Sequence, residues 1–312
     1  MTSIIITYIN EHDFLAEALQ SAMNQGLDQM ELILVSNMSV LSKEYQPLHG
    51  SKLNFKFIHE PHPGSAFARN AGLQQASGEW LQFLDVDDLI LPGKISGQLA
   101  LAQGAAVVSP HKFKFLNSTT QPSKWLPEDI WCGILNSGLG STSSMLWHRE
   151  SLLGSGGWSV NYKSHQEYEL LFRLAATGHQ ISIAEDWKTI VRERASGSIT
   201  LNTKEVRAKE GIQLREKIWK YLVQQRMDNP ARKNAFLQYL FRQLRGLYRI
   251  DRNGAIIIYK KYFTGEKFIP DQIGIPFYSF LYQNLGFART ERILSSYSNL
   301  RNRYLPFLPT NH

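Results

Sequence analysis

Cysteine is nearly absent: Cys132 is the only one in 312 residues. No internal disulfide can form, and zinc sites built on several cysteines are excluded. The expected compartment is the reducing cytoplasm. Long apolar runs are lacking too, and none approaches the ~20 residues of a membrane-spanning helix. The start, Met1-Thr2-Ser3-Ile4-Ile5-Ile6-Thr7, has no basic stretch before its short apolar run, and polar Asn10-Glu11-His12-Asp13 follow. A buried first strand is expected there, not a signal peptide. With 43% hydrophobic and 20% charged residues, the composition is that of a globular protein with a sizeable core.

Acidic residues thin out towards the C-terminus. Residues 205–312 carry 12 Arg and 7 Lys against 8 Asp and Glu, a net +11, which leaves −4 for residues 1–204 of a chain whose total is +7. Such a basic region suits anionic lipid or a phosphorylated acceptor, and a solvated helical surface accounts for it equally well. No nucleic-acid recognition module is present, so nucleic acid is not an expected partner.

Apolar periodicity organises the first hundred residues. Strands are expected at Ile4 to Thr7, Glu31 to Val35, Phe55 to His59 and Trp80 to Leu84, and helices at Asp13 to Gln25, Ser65 to Ala76 and Lys94 to Gln103. This alternation predicts an α/β fold, a mostly parallel sheet flanked by helices. Ligands of such sheets bind at the carboxyl ends of the strands, where Thr7, Ser36 and Asp85 stand. A helix is expected from Ser164 to Thr177. Long helical patterns at Lys204 to Met227 and Ala231 to Tyr248 mark a helical C-terminal appendage. The expected domains are residues 1–203 and 204–312.

Asp85-Val86-Asp87-Asp88 ends a buried strand. Three adjacent carboxylates repel one another and persist most easily beside a cation. Their hard oxygens suit Mg2+ or Mn2+. The plainer alternative is a loop whose carboxylates cap the next helix.

Two blocks carry a family likeness. Gly64-Ser65-Ala66-Phe67-Ala68-Arg69-Asn70-Ala71-Gly72 resembles the Gly-x-x-x-Ala-Arg-Asn-x-Gly helix of family 2 glycosyltransferases, and Ala76 to Asp88 resembles the strand that leads into their Asp-x-Asp-Asp. The resemblance covers roughly residues 2–200. It implies the GT-A (Rossmann-like) fold, a nucleotide-sugar donor and a divalent metal, with inversion at the anomeric carbon. By it, Asp85 contacts the donor, Asp87 ligates the metal, Asp88 supports the loop or the ion, and Arg69 lies near the donor. Arg69 could equally pair with Asp85 or Asp88. Thr7, Tyr8, Asn10 and Glu11 occupy the place of the family's nucleobase loop. Ser36-Asn37 stand where an Asp usually receives the base, and their side-chain oxygens can still accept a hydrogen bond. Glu167 falls on the family's general base, one methylene longer than the usual Asp; a charge favoured at a helix start is its plainer role. Arg194 stands where a His often approaches the metal, and it can neutralise diphosphate. Trp158 and His165 are acceptor-binding candidates; Trp158 serves equally as a core residue.

The implied activity moves a sugar, most often from a UDP-sugar, to a glycan or lipid-linked acceptor, as in bacterial polysaccharide assembly. The basic C-terminal region implies contact with the inner membrane face or a second subunit. Two rivals stand: a nucleotidyltransferase, and a non-catalytic family member that binds a glycan or a partner.

Overall fold

The computed structural model describes residues 1–8, 12–36, 54–114, 120–123, 129–192, 204–271 and 277–304, with the side chains of 12, 13 and 296–304 left aside. The chain divides into two compact units, Met1–Asn202 and Thr203–His312.

The first unit is α/β. Its main sheet has seven strands: β1 (Thr2–Tyr8), β2 (Met30–Ser36), β3 (Asn54–His59), β4 (Trp80–Asp85), β6 (Ala106–Val108), β9 (Leu146–His148) and β10 (Ile181–Ile183), in the order β10-β6-β9-β4-β1-β2-β3. Only β9 runs against its neighbours. A smaller sheet joins β5 (Leu89–Ile90), β7 (Lys112–Lys114), β8 (Gln121–Pro122) and β11 (Thr189–Arg192) in the order β5-β11-β7-β8. The helices are α1 (His12–Met23), α2 (Ser65–Gln75), α3 (Lys94–Leu99), α4 (Ile130–Asn136), α5 (Arg149–Gly154) and α6 (Gln166–Ala176). The expected mostly parallel α/β sheet is present.

β1 and β2 are buried on both faces, and this explains why they read as continuous apolar runs and not as alternations. Register decides what meets at the carboxyl edge: Thr7 lies opposite Asp85, and Tyr8 opposite Ser36. Helix α2 lies very close to β1. A Cβ at Gly72 would stand 2.4 Å from Ile5 Cγ2, so the glycine that ends the Ala-Arg-Asn-x-Gly block is there for contact.

The amino edge of the sheet is held by a buried anion. Glu31 Oε1 accepts from Ser3 Oγ at 2.6 Å, Ser77 N at 2.6 Å and Ser77 Oγ at 2.8 Å, while Lys56 Nζ lies 2.8 Å from Oε2. One side chain thereby ties β1, β2, β3 and the turn before β4 together. Burial pushes its pKa up, but the Lys56 ammonium and these hydrogen bonds outweigh burial and hold it at about 2.

The second unit is helical: α7 (Lys204–Gln224), α8 (Pro230–Tyr248), α9 (Arg252–Phe263) and α10 (Tyr278–Tyr304), which breaks at Gly286. Phe241, Phe263, Phe268, Tyr278 and Phe287 form its aromatic centre. Beside them, fully buried Glu291 accepts from Arg245 Nε at 2.8 Å and Tyr278 Oη at 2.5 Å. No described helix is long and apolar enough to cross a membrane.

The Glu31 cluster predicts a pH dependence. A folded pKa below the ordinary value means that its stabilisation is complete above about pH 4.5 and is lost as the pH falls towards 2. Glu31→Gln is expected to cost about 1–3 kcal/mol at pH 7 and to remove part of the acid sensitivity. Urea unfolding at pH 7 and pH 3 checks this; equal losses at both pH values would contradict it.

Candidate active site

The site is built where β1, β2 and β4 end. β4 delivers Asp85, half-buried, to the carboxyl edge, and a tight turn closed by Asp88 N donating to Asp85 O at 2.9 Å carries Val86 and Asp87. Arg69 reaches this point from α2. It is only 5% exposed, so its charge needs partners in place. Nη2 donates to Asp85 Oδ1 at 2.7 Å, and Nη1 to Gln166 Oε1 at 2.7 Å. Thr7 Oγ1 also donates to Asp85 Oδ1, at 3.3 Å. Of the two roles open to Arg69, the structure therefore displays pairing with Asp85.

Gln166, the first residue of α6, was not anticipated. Its Oε1 also accepts from Ser65 Oγ at 3.1 Å, and its Nε2 donates to Tyr162 O at 2.7 Å. A continuous hydrogen-bonded line thus runs from Thr7 through Asp85 and Arg69 to the start of α6. Glu167 is the next residue. It is half-buried, and its carboxylate has no hydrogen bond or ion pair among the described residues. Glu169, two residues further on, is instead committed to Arg173 at 2.9 Å.

Of the two roles open to Trp158, stacking on an acceptor sugar or packing in the core, the structure displays the second: it is 1% exposed. Its ring packs edge-on against Phe83 at 5.0 Å and Trp147 at 5.5 Å, and the Arg69 guanidinium lies 4.8 Å from its centroid. It is the shelf beneath Arg69 and cannot present a face to a ligand. Asn70 holds this shelf: Nδ2 donates to Trp158 O at 2.8 Å, and Oδ1 accepts from Trp158 N at 2.8 Å. From the other side, Arg173 Nη2 donates to Gly157 O at 2.6 Å. Arg69 and Asn70 of one helix and Arg173 of another therefore join α2 to α6 through the segment between them.

Tyr8 requires a correction. Expected beside the base or ribose, it is 3% exposed and belongs to the apolar core. Ser36 is buried at the end of β2. His165 takes the left-handed conformation (φ 58°) immediately before α6 and is partly exposed. Asn10, Glu11, Asn37 and Arg194 lie outside the described residues.

The two remaining aspartates differ. Asp88 is buried; its Oδ2 accepts from Ser143 Oγ at 2.6 Å and its Oδ1 from Arg192 N at 3.3 Å. Ser143 Oγ in turn accepts from Asp85 N at 3.1 Å. These are the contacts of a residue that holds the loop. Burial, then the charges of Asp87 and Asp85, push the Asp88 carboxyl well above the usual range. Asp87 is half-buried on the turn. Among the described residues no three His, Cys, Asp or Glu side chains form a preformed metal cage. The donor set fits a hard divalent cation bound through Asp87, with a ligand's own oxygens completing the shell, because added positive charge would relieve this mutual repulsion.

Behind β4 lies a second unanticipated feature. Lys94 is 1% exposed and donates to Gln82 Oε1, while Gln82 Nε2 donates to Ser143 O at 2.9 Å. Burial pushes the Lys94 ammonium well below its ordinary pKa, with Asp186 opposing weakly. A buried polar layer thus backs the acidic turn.

This is the GT-A glycosyltransferase fold. It matches the structure of S. aureus TarS residues 1–349 in complex with UDP at a TM-score of 0.58 and 17% identity, covering 99% of this chain and 94% of that one. The mannosyltransferase PcManGT from Pyrobaculum calidifontis, in complex with GDP-Man and Mn2+, matches at 0.56 and 16% identity, covering 98% and 81%. Residues 3–150, just under half of the chain, match the model of glycosyl transferase family 2. A glycosyltransferase of Haemophilus influenzae, itself uncharacterized, is 27% identical over 218 residues, 65% of this chain and 73% of that protein. Two Bacillus subtilis relatives match locally, over 27% and 11% of their own lengths.

Asn70→Ala would leave a buried backbone donor and acceptor of Trp158 without partners. The expected loss is about 1–3 kcal/mol for each, with a change in tryptophan fluorescence as the Arg69 shelf loosens. Chemical denaturation followed by fluorescence checks it; an unaltered midpoint and spectrum would contradict the clamp.

Proposed function

We propose that this chain transfers a sugar from a UDP-sugar to a hydroxyl of a glycan or lipid-linked acceptor, with inversion at the anomeric carbon. The observation that carries the reading is the carboxylate of Glu167, which has no hydrogen bond or ion pair among the described residues and stands one residue from the Gln166–Arg69–Asp85 line. In a site this rich in hydrogen bonds, such a carboxylate is available to take a proton.

The proposed step is a single displacement. Glu167 removes the acceptor proton as the acceptor oxygen bonds to the anomeric carbon, and the bond from that carbon to the diphosphate breaks with its electrons on the leaving group. Thr7, Asp85 and Ser36 edge the donor pocket, and Arg69 keeps Asp85 oriented. Asp87 would hold Mn2+ or Mg2+, which when bound offsets charge on the departing diphosphate. Arg194, outside the described residues, is assigned to the same diphosphate by its charge. His165, beside the base, is assigned to the acceptor. UDP binding in TarS and GDP-Man with Mn2+ in PcManGT support the donor class, and UDP is preferred because it is the family's commonest carrier. Assembly of a bacterial polysaccharide at the cytoplasmic side of the membrane is the setting that fits.

Thermal unfolding with Mn2+ and a panel of UDP, GDP, dTDP and CDP tests the donor site. UDP is expected to raise the midpoint, because a ligand that binds only the folded state stabilises it, and Asp87→Ala is expected to abolish the rise. No shift with any nucleotide would sink the reading.

Glu167→Gln is expected to keep the nucleotide shift and lower turnover by roughly 10²–10⁴-fold. Turnover within a few fold of wild type would remove Glu167 as the base.

A further inference from the structure

In the second unit many described cations have partners: Lys209 pairs with Glu205, Lys233 with Glu266, Lys261 with Glu216 and Arg245 with Glu291. Lys260 and Arg289 are exposed and have no hydrogen bond or ion pair among the described residues. They stand on one cleft of about 280 Å³ between α9 and α10, whose walls include Ile256, Tyr259, Leu285 and Phe287. The break at Gly286 falls in this wall. Its backbone is left-handed there (φ 73°), while a Cβ would meet nothing within 4 Å; conformation, not space, calls for glycine. Beside the cleft, Ile257 is 67% exposed and Ile293, one turn beyond Arg289, is 47% exposed.

Exposed isoleucines flanking an apolar cleft, with unpaired cations on its rim, form an amphipathic basic face. We propose that this face of the C-terminal unit docks on an anionic lipid surface, with Ile257 and Ile293 entering the acyl boundary and Lys260 and Arg289 meeting lipid phosphates. Charge complementarity selects this occupant. Residues 205–312 carry a net +11, and a negative leaflet attracts such a unit before any close contact forms. The inference rests on neither the donor nor the base assigned above.

Co-sedimentation of the full chain with vesicles of phosphatidylglycerol and phosphatidylcholine, against phosphatidylcholine alone, tests it. Binding is expected to the anionic vesicles only, and to weaken with salt. Each cation near the surface is worth about 1 kcal/mol, a factor of about five, so Lys260→Ala with Arg289→Ala is expected to weaken binding about 25-fold. Ile257→Asp is expected to weaken it at least fivefold, and Arg226→Ala, outside the cleft, by much less. Thermal unfolding of each variant establishes that it folds. Absence of binding to anionic vesicles, or an Arg226→Ala loss equal to that of the double variant, would overturn the proposal. So would self-association of the wild type that Ile257→Asp removes, which would assign the face to a second copy.

Discussion

The N-terminal α/β unit depends on where the charge of Arg69 goes. A guanidinium this deeply buried needs partners for its charge, and its fork can meet two acceptors at fixed angles. One arm takes Asp85 at the end of β4, the other takes Gln166 at the start of α6, and the ring of Trp158 lies against the planar group. Three segments are therefore positioned against α2 by one cation that touches all of them. A lysine could not do this, because its ammonium has no planar geometry to impose on two partners. The same pairing partly neutralises Asp85, so that the three carboxylates of the acidic turn can coexist at the end of a buried strand.

The two edges of the sheet use buried charge in opposite ways. At the amino edge Glu31 is surrounded by donors and a lysine, and its carboxyl sits well below the ordinary range. There the folded state favours the charge, and the cluster contributes stability. At the carboxyl edge Asp88 is pushed the other way by burial and by its neighbours. Such a residue costs stability unless something else balances it. The raised pKa of Asp88 falls at the edge where ligands of parallel sheets bind.

Much of this was legible from the chain. β1, β2 and β4 are short buried runs flanked by turn residues, and α2 and α6 have clear periodicity; local pattern suffices for such elements. The meeting of Thr7 and Asp85 followed from placing both at strand ends. Trp158 and Tyr8 were not legible in the same way. Exposure of a single aromatic after a glycine turn or at a strand end is decided by what packs on it, here Phe83, Trp147 and Arg69 for the tryptophan. Gln166 was missed for a related reason. Its bond to Arg69 spans 97 residues and leaves no trace in either segment. Its only sequence signal was position, immediately before Glu167. Lys94 gave no signal, since a lysine near a helix start reads as solvated.

The departures from the family pattern support a working site more than a decayed one. Gln166 replaces a carboxylate but keeps an acceptor oxygen, and that oxygen is fully used by Arg69 and Ser65. Neutral at this position, it leaves Asp85 as the one described carboxylate bonded to Arg69. Glu167 replaces a shorter acid but remains a carboxylate with no hydrogen bond or ion pair among the described residues. A site freed from chemistry has a cheaper arrangement open to it, because replacing Asp87 or Asp88 by a neutral residue would remove the repulsion that Asp88 now bears. Retaining Asp85, Asp87 and Asp88 together is costly for folding alone, and the proposed divalent cation and anionic donor would offset that cost.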